Sequence, residues 1–307
     1  MKAKRELKFG SLFTCGGGSS IGATKAGMKE LFACDINPNA RDAFEANRHI
    51  FGEAPYLNKD VRTVTPEELL TVSGLKLGEL DLLEASPPCK FISRTNPLAR
   101  WNHPMNFLYR HVFKHMVPTA LYPKVVVMEN VAALYDPSFR PLLEKILFDA
   151  SRLNYHFRFE ILDAMDFGVP QSRERIIFIF VRKDIGSPVI FPKPLDRHIP
   201  IKDVIHGIIG FKDINFGSPF RLGTDICCTL TTAETLKFHF VEGERNATVE
   251  ERRAIMTFPG AYNLPNKKTA ALELLGNAVP PMLMFHIISA IKSHVLTPYY
   301  KKQSIGR

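Results

Sequence analysis

The sequence is poor in cysteine, and its cysteines show no spacing typical of a metal site or a disulfide framework. Among its 307 residues there are five cysteines, at positions 15, 34, 89, 227 and 228. No CxxC pair or cysteine–histidine cluster occurs, so the sequence predicts no metal site and no set of disulfides. The simplest interpretation is that these thiols are reduced, in a reducing compartment.

The sequence also lacks segments that would direct it to a membrane. We find no apolar run long enough to cross a bilayer, and the charged start from Met1 to Glu6 is unlike a signal peptide. These absences predict a soluble cytoplasmic protein with no membrane partner. No internal repeat or low-complexity tract is evident.

The net charge is strongly positive. A value of +9 and a pI near 9.3 favour a polyanionic partner, because phosphate contacts use Lys and Arg. Charge alone does not separate nucleic-acid-binding proteins from other basic proteins.

The first half of the chain alternates between apolar strands and helices. Because continuous apolar strands are buried on both sides, this pattern predicts a doubly wound, mostly parallel α/β sheet of the Rossmann-like type. The predicted strands are Phe9–Phe13, Leu31–Cys34, Leu80–Leu83 and Lys124–Met128.

The second half has a different texture. Tyr155–Leu162 and Ile176–Val181 are expected to pair as a hairpin. Gly, Pro and short β-like pieces then dominate until an apolar helix at Val279–Val295, which is expected to pack back on the first domain. We predict a discontinuous first domain, residues 1–182 plus 266–307, and a small irregular β-rich domain, residues 183–265.

Pro87-Pro88-Cys89 follows the predicted strand Leu80–Leu83 directly. The two prolines end the strand and stiffen its exit. In an open α/β sheet, ligands bind at the carboxyl ends of the strands. Cys89 is therefore a candidate nucleophile. The alternative role is a small buried hydrophobe, which is commoner for an isolated cysteine.

A glycine-rich loop follows the first strand, and Asp35 ends the second. Glycines at 16, 17 and 18 let the backbone approach a ligand closely. An acid at the position of Asp35 suits ribose hydroxyls, so the pair predicts an adenosine-containing cofactor. The spacing is not GxGxxG and does not specify a dinucleotide. The alternative for Asp35 is a cap for the helix that starts near Pro38.

Three later segments also place polar groups at the ends of elements. Glu129-Asn130-Val131 follows the most hydrophobic strand, where desolvation raises the pKa of a carboxyl. The Gln and two Arg side chains of Gln171–Arg175 are expected on one face of a strand. Gly276–Pro281 is expected to open the last helix. Helix caps and surface salt bridges are the alternative roles.

In this order the motifs resemble those of the cytosine-C5 DNA methyltransferases. The resemblance extends from about Lys8 to Ile291, and the joint set is far more specific than any single motif. The matching stretches are Phe13–Gly18, Pro87-Pro88-Cys89, Glu129-Asn130-Val131, Gln171–Arg175 and Gly276–Pro281, with support from Thr229-Leu230-Thr231 and Arg253–Pro259.

The resemblance implies an S-adenosylmethionine-dependent enzyme that methylates C5 of a cytosine flipped out of double-stranded DNA. It also implies a prokaryotic or phage restriction–modification system, a location near the nucleoid, and a cognate restriction endonuclease or specificity subunit as partner. Two alternatives stay open: an RNA (tRNA) cytosine-C5 methyltransferase, and a catalytically silent homologue that binds nucleic acid.

Position by position, the resemblance implies four catalytic residues. Cys89 attacks C6 of the base as a thiolate, and Glu129 hydrogen-bonds the N3 and amino edge. Arg175 contacts the base, and Arg173 orients Glu129. The segment Lys90–Met105 is implied to be a mobile loop that closes over the flipped base. Its two arginines, Arg94 and Arg100, suit phosphate contacts.

The resemblance further implies a cofactor site and no metal. Asp35 binds the ribose and Asp60 the adenine amino group. The remaining implied cofactor contacts are Phe13, Gly17, Gly18, Ile36, Val61, Pro87, Phe107, Asn277 and Val279.

The sequence departs from the family pattern at a few places. Lys90 replaces the usual Gln after the nucleophile, Cys15 replaces a loop glycine, and Asp35 replaces a Glu. Only Lys183–Cys228 remains for target recognition. Since reading a long site needs several bidentate contacts, we expect a short or degenerate target, or help from another subunit.

Overall fold

The computed structural model of this chain describes residues 5–94, 96–214 and 218–305. The first four residues of the charged N-terminal segment lie outside the described residues. So do positions 95, 215–217, 306 and 307, which fall within the predicted loop, the small domain and the C-terminal segment.

The described strands form two sheets. They are β1 (Leu7–Leu12), β2 (Met28–Cys34), β3 (Tyr56–Leu57), β4 (Leu82–Ala85), β5 (Val125–Val131), β6 (Tyr155–Asp163), β7 (Glu174–Arg182), β8 (Gly210–Asp213), β9 (Arg221–Leu222), β10 (Leu236–Phe240) and β11 (Gly243–Asn246).

The described helices cover the main sheet and close the small domain. They are α1 (Gly18–Lys25), α2 (Pro38–Ala46), α3 (Arg48–Phe51), α4 (Pro66–Ser73), α5 (Tyr109–Lys114), α6 (Arg140–Ser151), α7 (Val249–Ile255), α8 (Lys268–Asn277), α9 (Pro281–Ile291) and α10 (Thr297–Ile305).

The main sheet has seven strands in the order β3-β2-β1-β4-β5-β7-β6. β7 is antiparallel to both of its neighbours, and the other six strands run in one direction. The predicted late hairpin is therefore confirmed as β6 and β7. The reversal of β7 matters for function, because its first residues lie at the edge where its neighbours end.

The main sheet is covered on both faces, as the continuous apolar strands predicted. One face packs with α5 and α6 through residues such as Val112 and Leu142, and the other with α1 and α9 through residues such as Ala23 and Ile287. The predicted α/β fold class, with a mostly parallel sheet, is confirmed.

Some element boundaries differ from the sequence-based prediction. α1 begins at Gly18 rather than near Ile21, because Gly17 adopts a left-handed φ of 74° and lets the chain enter the helix from the loop. β7 begins at Glu174, so Gln171 and Arg173 precede the strand rather than lying on one face of it. Pro38 starts α2 as predicted, and the Asn37 side chain caps the helix.

The C-terminal segment corrects the prediction that no run is long enough to cross a bilayer. Lys268–Ser304 is long and apolar enough by length and composition alone. In the fold, 61 % of its apolar stretch is buried, and Ile287, Ile288 and Ile291 pack against the main sheet. The segment thus has the burial of a core helix.

The small sheet is antiparallel, in the order β11-β10-β8-β9. Its Phe211 and Phe238 share one apolar cluster with Phe44 and Phe51 of α2 and α3. This cluster joins the small sheet to the helices beside the glycine-rich loop. The division into residues 1–182 plus 266–307 and residues 183–265 stays a prediction.

Candidate active site

The four predicted catalytic residues meet at one edge of the main sheet. β4 and β5 run in parallel, with Ala85 paired to Met128, so Cys89 and Glu129 lie at the same end. Arg175 pairs with Val131 because β7 runs the other way. The topology alone therefore brings together groups that are far apart in the sequence.

Cys89 is held on a stiff turn beyond β4. The Asn130 side chain donates a hydrogen bond to the Pro87 carbonyl over 3.1 Å. The Cys89 carbonyl accepts hydrogen bonds from the backbone N–H groups of Ile92 and Ser93, at 2.8 and 3.0 Å. Two neighbouring segments thus fix the backbone on both sides of the thiol.

The electrostatic surroundings of Cys89 oppose ionisation of the thiol. Burial raises its pKa, and the Glu129 carboxylate raises it further. The guanidinium groups of Arg175 and Arg173 act in the opposite direction. A thiolate at this position therefore depends on the charge state of Glu129.

Glu129 forms an ion pair with Arg175. Arg175 Nε lies 2.8 Å from Glu129 Oε1, and the two side chains are only 11 % and 10 % exposed. Burial raises the pKa of Glu129, while Arg175, Arg173 and a hydrogen bond with Ser86 lower it. Glu129 is therefore a carboxyl that can hold a proton closer to neutral pH than an exposed glutamate.

The Arg173 side chain forms hydrogen bonds with backbone carbonyls, and its role in orienting Glu129 stays a prediction. Its buried guanidinium donates to the carbonyls of Leu230 at 2.8 Å, Gly276 at 2.7 Å and Ala278 at 3.0 Å. The direct ion pair with Glu129 belongs to Arg175, and Arg173 acts on Glu129 only through its charge. Arg173 thus joins the segment before β10 to the link between α8 and α9.

The segment Gln171–Arg173 is also tied to residues 227–230. Gln171 Oε1 accepts a hydrogen bond from the Leu230 N–H at 3.0 Å. The Ser172 N–H donates to the Cys227 carbonyl at 2.9 Å. The two stretches that match the family pattern, Gln171–Arg175 and Thr229-Leu230-Thr231, are therefore in direct contact.

The glycine-rich loop has an unusual backbone that Asp35 holds in place. Phe13, Cys15 and Gly17 have positive φ values of 59°, 49° and 74°. The Asp35 carboxylate accepts hydrogen bonds from the N–H groups of Cys15 and Asn37, each at 2.8 Å. The acid at the end of β2 thus fixes the loop as well as facing the predicted ribose position.

The loop packs tightly on the link between α8 and α9. A Cβ atom at Gly18 would lie 2.0 Å from the Val279 carbonyl oxygen. Asn277 ends α8 and Pro281 starts α9, so Gly276–Pro281 joins two helices rather than simply opening the last one. The predicted contacts Gly17, Gly18, Asn277 and Val279 thus belong to two adjoining segments.

The other predicted cofactor contacts follow β1, β2, β3 and β4. Phe13, Val61 and Phe107 pack against one apolar cluster, Pro87 is buried, and Ile36 is 63 % exposed beside Asp35. An apolar side chain this exposed beside Asp35 offers a surface for a flat ring.

The Asp60 carboxylate already has an arginine as its ion-pair partner. It forms an ion pair with Arg62 and caps the turn that begins at Val61. Arg62 is 60 % exposed, so this ion pair lies at the protein surface. The assignment of Asp60 to the adenine amino group stays a prediction.

The segment after Cys89 is held against the main domain. Asn106 donates to the carbonyls of Arg100 and Trp101, at 2.9 and 3.3 Å. Arg94, expected at DNA phosphates, forms a bidentate ion pair with Asp136, at 2.7 and 2.5 Å. This pair must break before Arg94 reaches a phosphate.

Sequence reasoning missed Glu84 and Ser86. Glu84 lies within β4 and is 1 % exposed, although charged residues are rare in a strand buried on both sides. It accepts hydrogen bonds from Ser86 at 2.8 Å and Ser11 at 3.0 Å. Glu84 could have been identified from the sequence as an acidic residue within an apolar run.

Among the described residues, no group of three or more His, Cys, Asp or Glu side chains forms a metal site.

The family model described as C-5 cytosine-specific DNA methylase matches residues 7–215 and 223–293. The chain belongs to this family. This methylase is 28 % identical to the Type II methyltransferase M1.HphI of Haemophilus parahaemolyticus, over 93 % of this chain and 86 % of that protein. The predicted family and the predicted class, a DNA (cytosine-5-)-methyltransferase, are confirmed.

Solved structures show the same fold. A prophage-encoded E. coli protein described as a DNA modification methyltransferase superposes with a TM-score of 0.76 at 18 % identity, over 94 % of this chain and 99 % of that chain. Spodoptera frugiperda DNMT2 superposes with a TM-score of 0.71 at 20 % identity, over 95 % and 100 % of the two chains.

Proposed function

We propose that this methylase transfers a methyl group to C5 of a flipped-out cytosine in double-stranded DNA through a covalent Cys89 adduct. One observation supports this most directly. A cysteine on a stiff turn and a buried Glu129–Arg175 ion pair share one edge of the sheet, beside a glycine-rich loop. The base must leave the duplex, because C5 and C6 are unreachable in the stack.

The Cys89 thiolate forms the S–C6 bond, and electron density moves from the C5–C6 double bond into the ring. Glu129 then donates its proton to the N3 edge and stabilises that charge. C5 takes the methyl group, and the C5 proton then passes to a water molecule. As the S–C6 bond breaks to release the Cys89 thiolate, N3 returns its proton to Glu129. Sulfur suits both steps, since a thiolate is a strong nucleophile and a good leaving group.

The two arginines have separate roles in this proposal. Arg175 positions Glu129 through their 2.8 Å ion pair and adds positive charge beside the base. Arg173 holds three backbone carbonyls and so fixes the link between α8 and α9 relative to the catalytic edge. Both arginines favour the Cys89 thiolate electrostatically.

The described residues fit S-adenosylmethionine. Its sulfonium supplies the electrophilic methyl group. We assign the ribose to Asp35, and the adenine to Ile36 and Phe13. The glycine-rich loop and the tight contact between Gly18 and Val279 form the wall on the side of α1. The full proposed contact set is Phe13, Gly17, Gly18, Asp35, Ile36, Asp60, Val61, Pro87, Phe107, Asn277 and Val279.

Restriction–modification is the proposed setting. A bacterial relative with a Type II name, matched over 93 % of this chain, supports it. We infer a cytoplasmic location near the nucleoid and a cognate restriction endonuclease as partner. The short region before Cys228 supports a short or degenerate target, or a partner subunit that adds contacts.

The covalent step is tested by trapping. Duplex DNA containing 5-fluorocytosine should form a denaturation-resistant adduct with the wild type and none with Cys89→Ser. Cys228→Ser is the matched control, because it removes a half-buried thiol outside the catalytic edge and should keep adduct formation. No adduct with the wild type on any nucleic acid would refute the proposal.

The substrate is tested separately. Tritiated methyl transfer to duplex DNA should far exceed transfer to tRNA, and a preference for tRNA would favour the RNA alternative. Bisulfite sequencing of DNA from cells that express this chain should show cytosines methylated within a short sequence. A strict target of six or more bases, read by the isolated chain, would contradict the size argument.

A further inference from the structure

Glu84 and Ser86 form a buried connection to the catalytic carboxyl. Glu84 lies in β4, next to Ser11 of β1 and Val127 of β5. Its Oε1 accepts a hydrogen bond from the Ser86 hydroxyl at 2.8 Å. Ala85 of β4 pairs with Met128 of β5, so Ser86 follows beside Glu129, and this serine lowers the pKa of Glu129. One serine therefore stands between two buried carboxyl groups.

The hydroxyl has only one proton to donate. An ionised carboxylate only accepts hydrogen bonds, whereas a protonated carboxyl also donates one. When Glu84 is ionised, it competes with Glu129 for the Ser86 proton. When Glu84 is neutral, it donates to Ser86 Oγ and leaves the serine proton for Glu129. The protonation state of Glu84 thus decides which carboxyl accepts the hydrogen bond from the Ser86 hydroxyl.

We propose that Glu84 is a positioning residue for methyl transfer. Glu84 turns the Ser86 hydroxyl towards Glu129 and supplies the proton that Glu129 gives to the base. The proton of Glu84 moves to Ser86 Oγ as the serine proton moves to Glu129. Both transfers reverse when the base is released, so no proton is gained or lost. This inference rests on the role proposed for Glu129.

The surroundings of Glu84 are consistent with a carboxyl that changes its charge near neutral pH. Burial raises its pKa to about 7, against hydrogen bonds from Ser86, Ser11 and Ser19. The acidic groups that face it are Glu129 from β5 and Glu30 from β2. The basic groups of the site, Arg173 and Arg175, act on the neighbouring Glu129 carboxyl.

The test is the pH dependence of single-turnover methylation by the full chain on duplex DNA. A group with a pKa of about 7 is about nine-tenths neutral at pH 6 and about one-tenth neutral at pH 8. Glu84→Gln keeps a donor at every pH. The ratio of the wild-type rate to the Glu84→Gln rate should therefore fall about tenfold from pH 6 to pH 8.

Two further variants make the result decisive. Ser86→Ala cuts the connection while Glu84 is retained, so the wild-type to Ser86→Ala ratio should fall in the same way, even if Glu84→Gln does not fold. Glu30→Gln is the matched control: Glu30 is also buried and bonded to a serine, Ser20 at 2.6 Å, but lies outside the catalytic edge.

The control ratio should not fall with pH, because removal of the Glu30 charge facing Glu84 can only lower the pKa of Glu84. A fall of at least threefold for each of the two variants that folds supports the proposal, and a smaller change for either folded variant overturns it. Failure of the proposed function would look different: neither the wild type nor Glu30→Gln would form an adduct with 5-fluorocytosine DNA at any pH.

Discussion

A single methyl group added at Gly18 should disrupt the contact between the glycine-rich loop and the link that joins α8 to α9. The added Cβ would lie 2.0 Å from the Val279 carbonyl oxygen and 3.3 Å from Phe258 Cζ, whereas ordinary contact begins at 3.4 Å. The loop and the link must therefore separate by about 1.4 Å. The obstacle is backbone, so a change of side-chain rotamer cannot relieve it.

We expect Gly18→Ala to lower the free energy of unfolding by about 3 kcal/mol, at the upper end of the usual cost of overpacking. In a chain of this size that shift corresponds to a fall in Tm of roughly 5 °C. The same displacement moves two segments of the proposed cofactor site, so the Kd for S-adenosylmethionine should rise at least tenfold.

The assays are thermal or denaturant unfolding and calorimetric titration of S-adenosylmethionine. Gly260→Ala is the matched control, because a Cβ there meets nothing within 4 Å and the residue has no positive φ. It should change stability by less than about 0.5 kcal/mol. A Gly18→Ala variant with wild-type stability and wild-type cofactor affinity would refute the reasoning.

Three other outcomes are expected. Glu129→Gln should lower the single-turnover methylation rate about 10²–10³-fold, because the amide cannot give a proton to the base; a loss below tenfold would contradict this role. The pKa of Glu30 is raised by burial from 4.5 to about 8, so the folded protein keeps a proton that the unfolded chain releases. The wild type therefore loses stability as pH rises from about 4.5 to 8, whereas Glu30→Gln does not lose this contribution. Chemical denaturation should show that the free energy of unfolding of Glu30→Gln, measured relative to the wild type, is about 2–4 kcal/mol higher at pH 8 than at pH 5. Arg94→Ala should change the free energy of unfolding by less than about 0.5 kcal/mol, since its ion pair is exposed. The slope of the DNA-binding constant against salt concentration should fall by the amount expected for about one phosphate contact. An unchanged slope would exclude that contact.

Much of the fold followed from the sequence pattern. Continuous apolar strands such as the predicted Lys124–Met128 indicated a sheet buried on both faces, and Pro38 marked the start of a helix. These features are local consequences of side-chain burial and backbone restriction. The apolar C-terminal segment was harder to interpret, because composition does not distinguish a core helix from a membrane-spanning one.

The contacts within the site were harder to predict than its residues. The motif order pointed to Cys89, Glu129 and both arginines. Only the position of β7 showed that Arg175, rather than Arg173, forms the ion pair with Glu129. Which guanidinium reaches a carboxylate depends on where the strand begins. Strand boundaries are set by tertiary pairing rather than by local propensity.

The sequence by itself determined the chemistry available to this methylase: a thiol, a carboxyl, a glycine-rich loop and an acid, each placed at the end of an element. The tertiary structure alone decided how these groups influence one another. Glu84 and Ser86 acquire meaning only because β4 lies between β1 and β5, where burial removes water and one hydroxyl must serve two carboxyl groups.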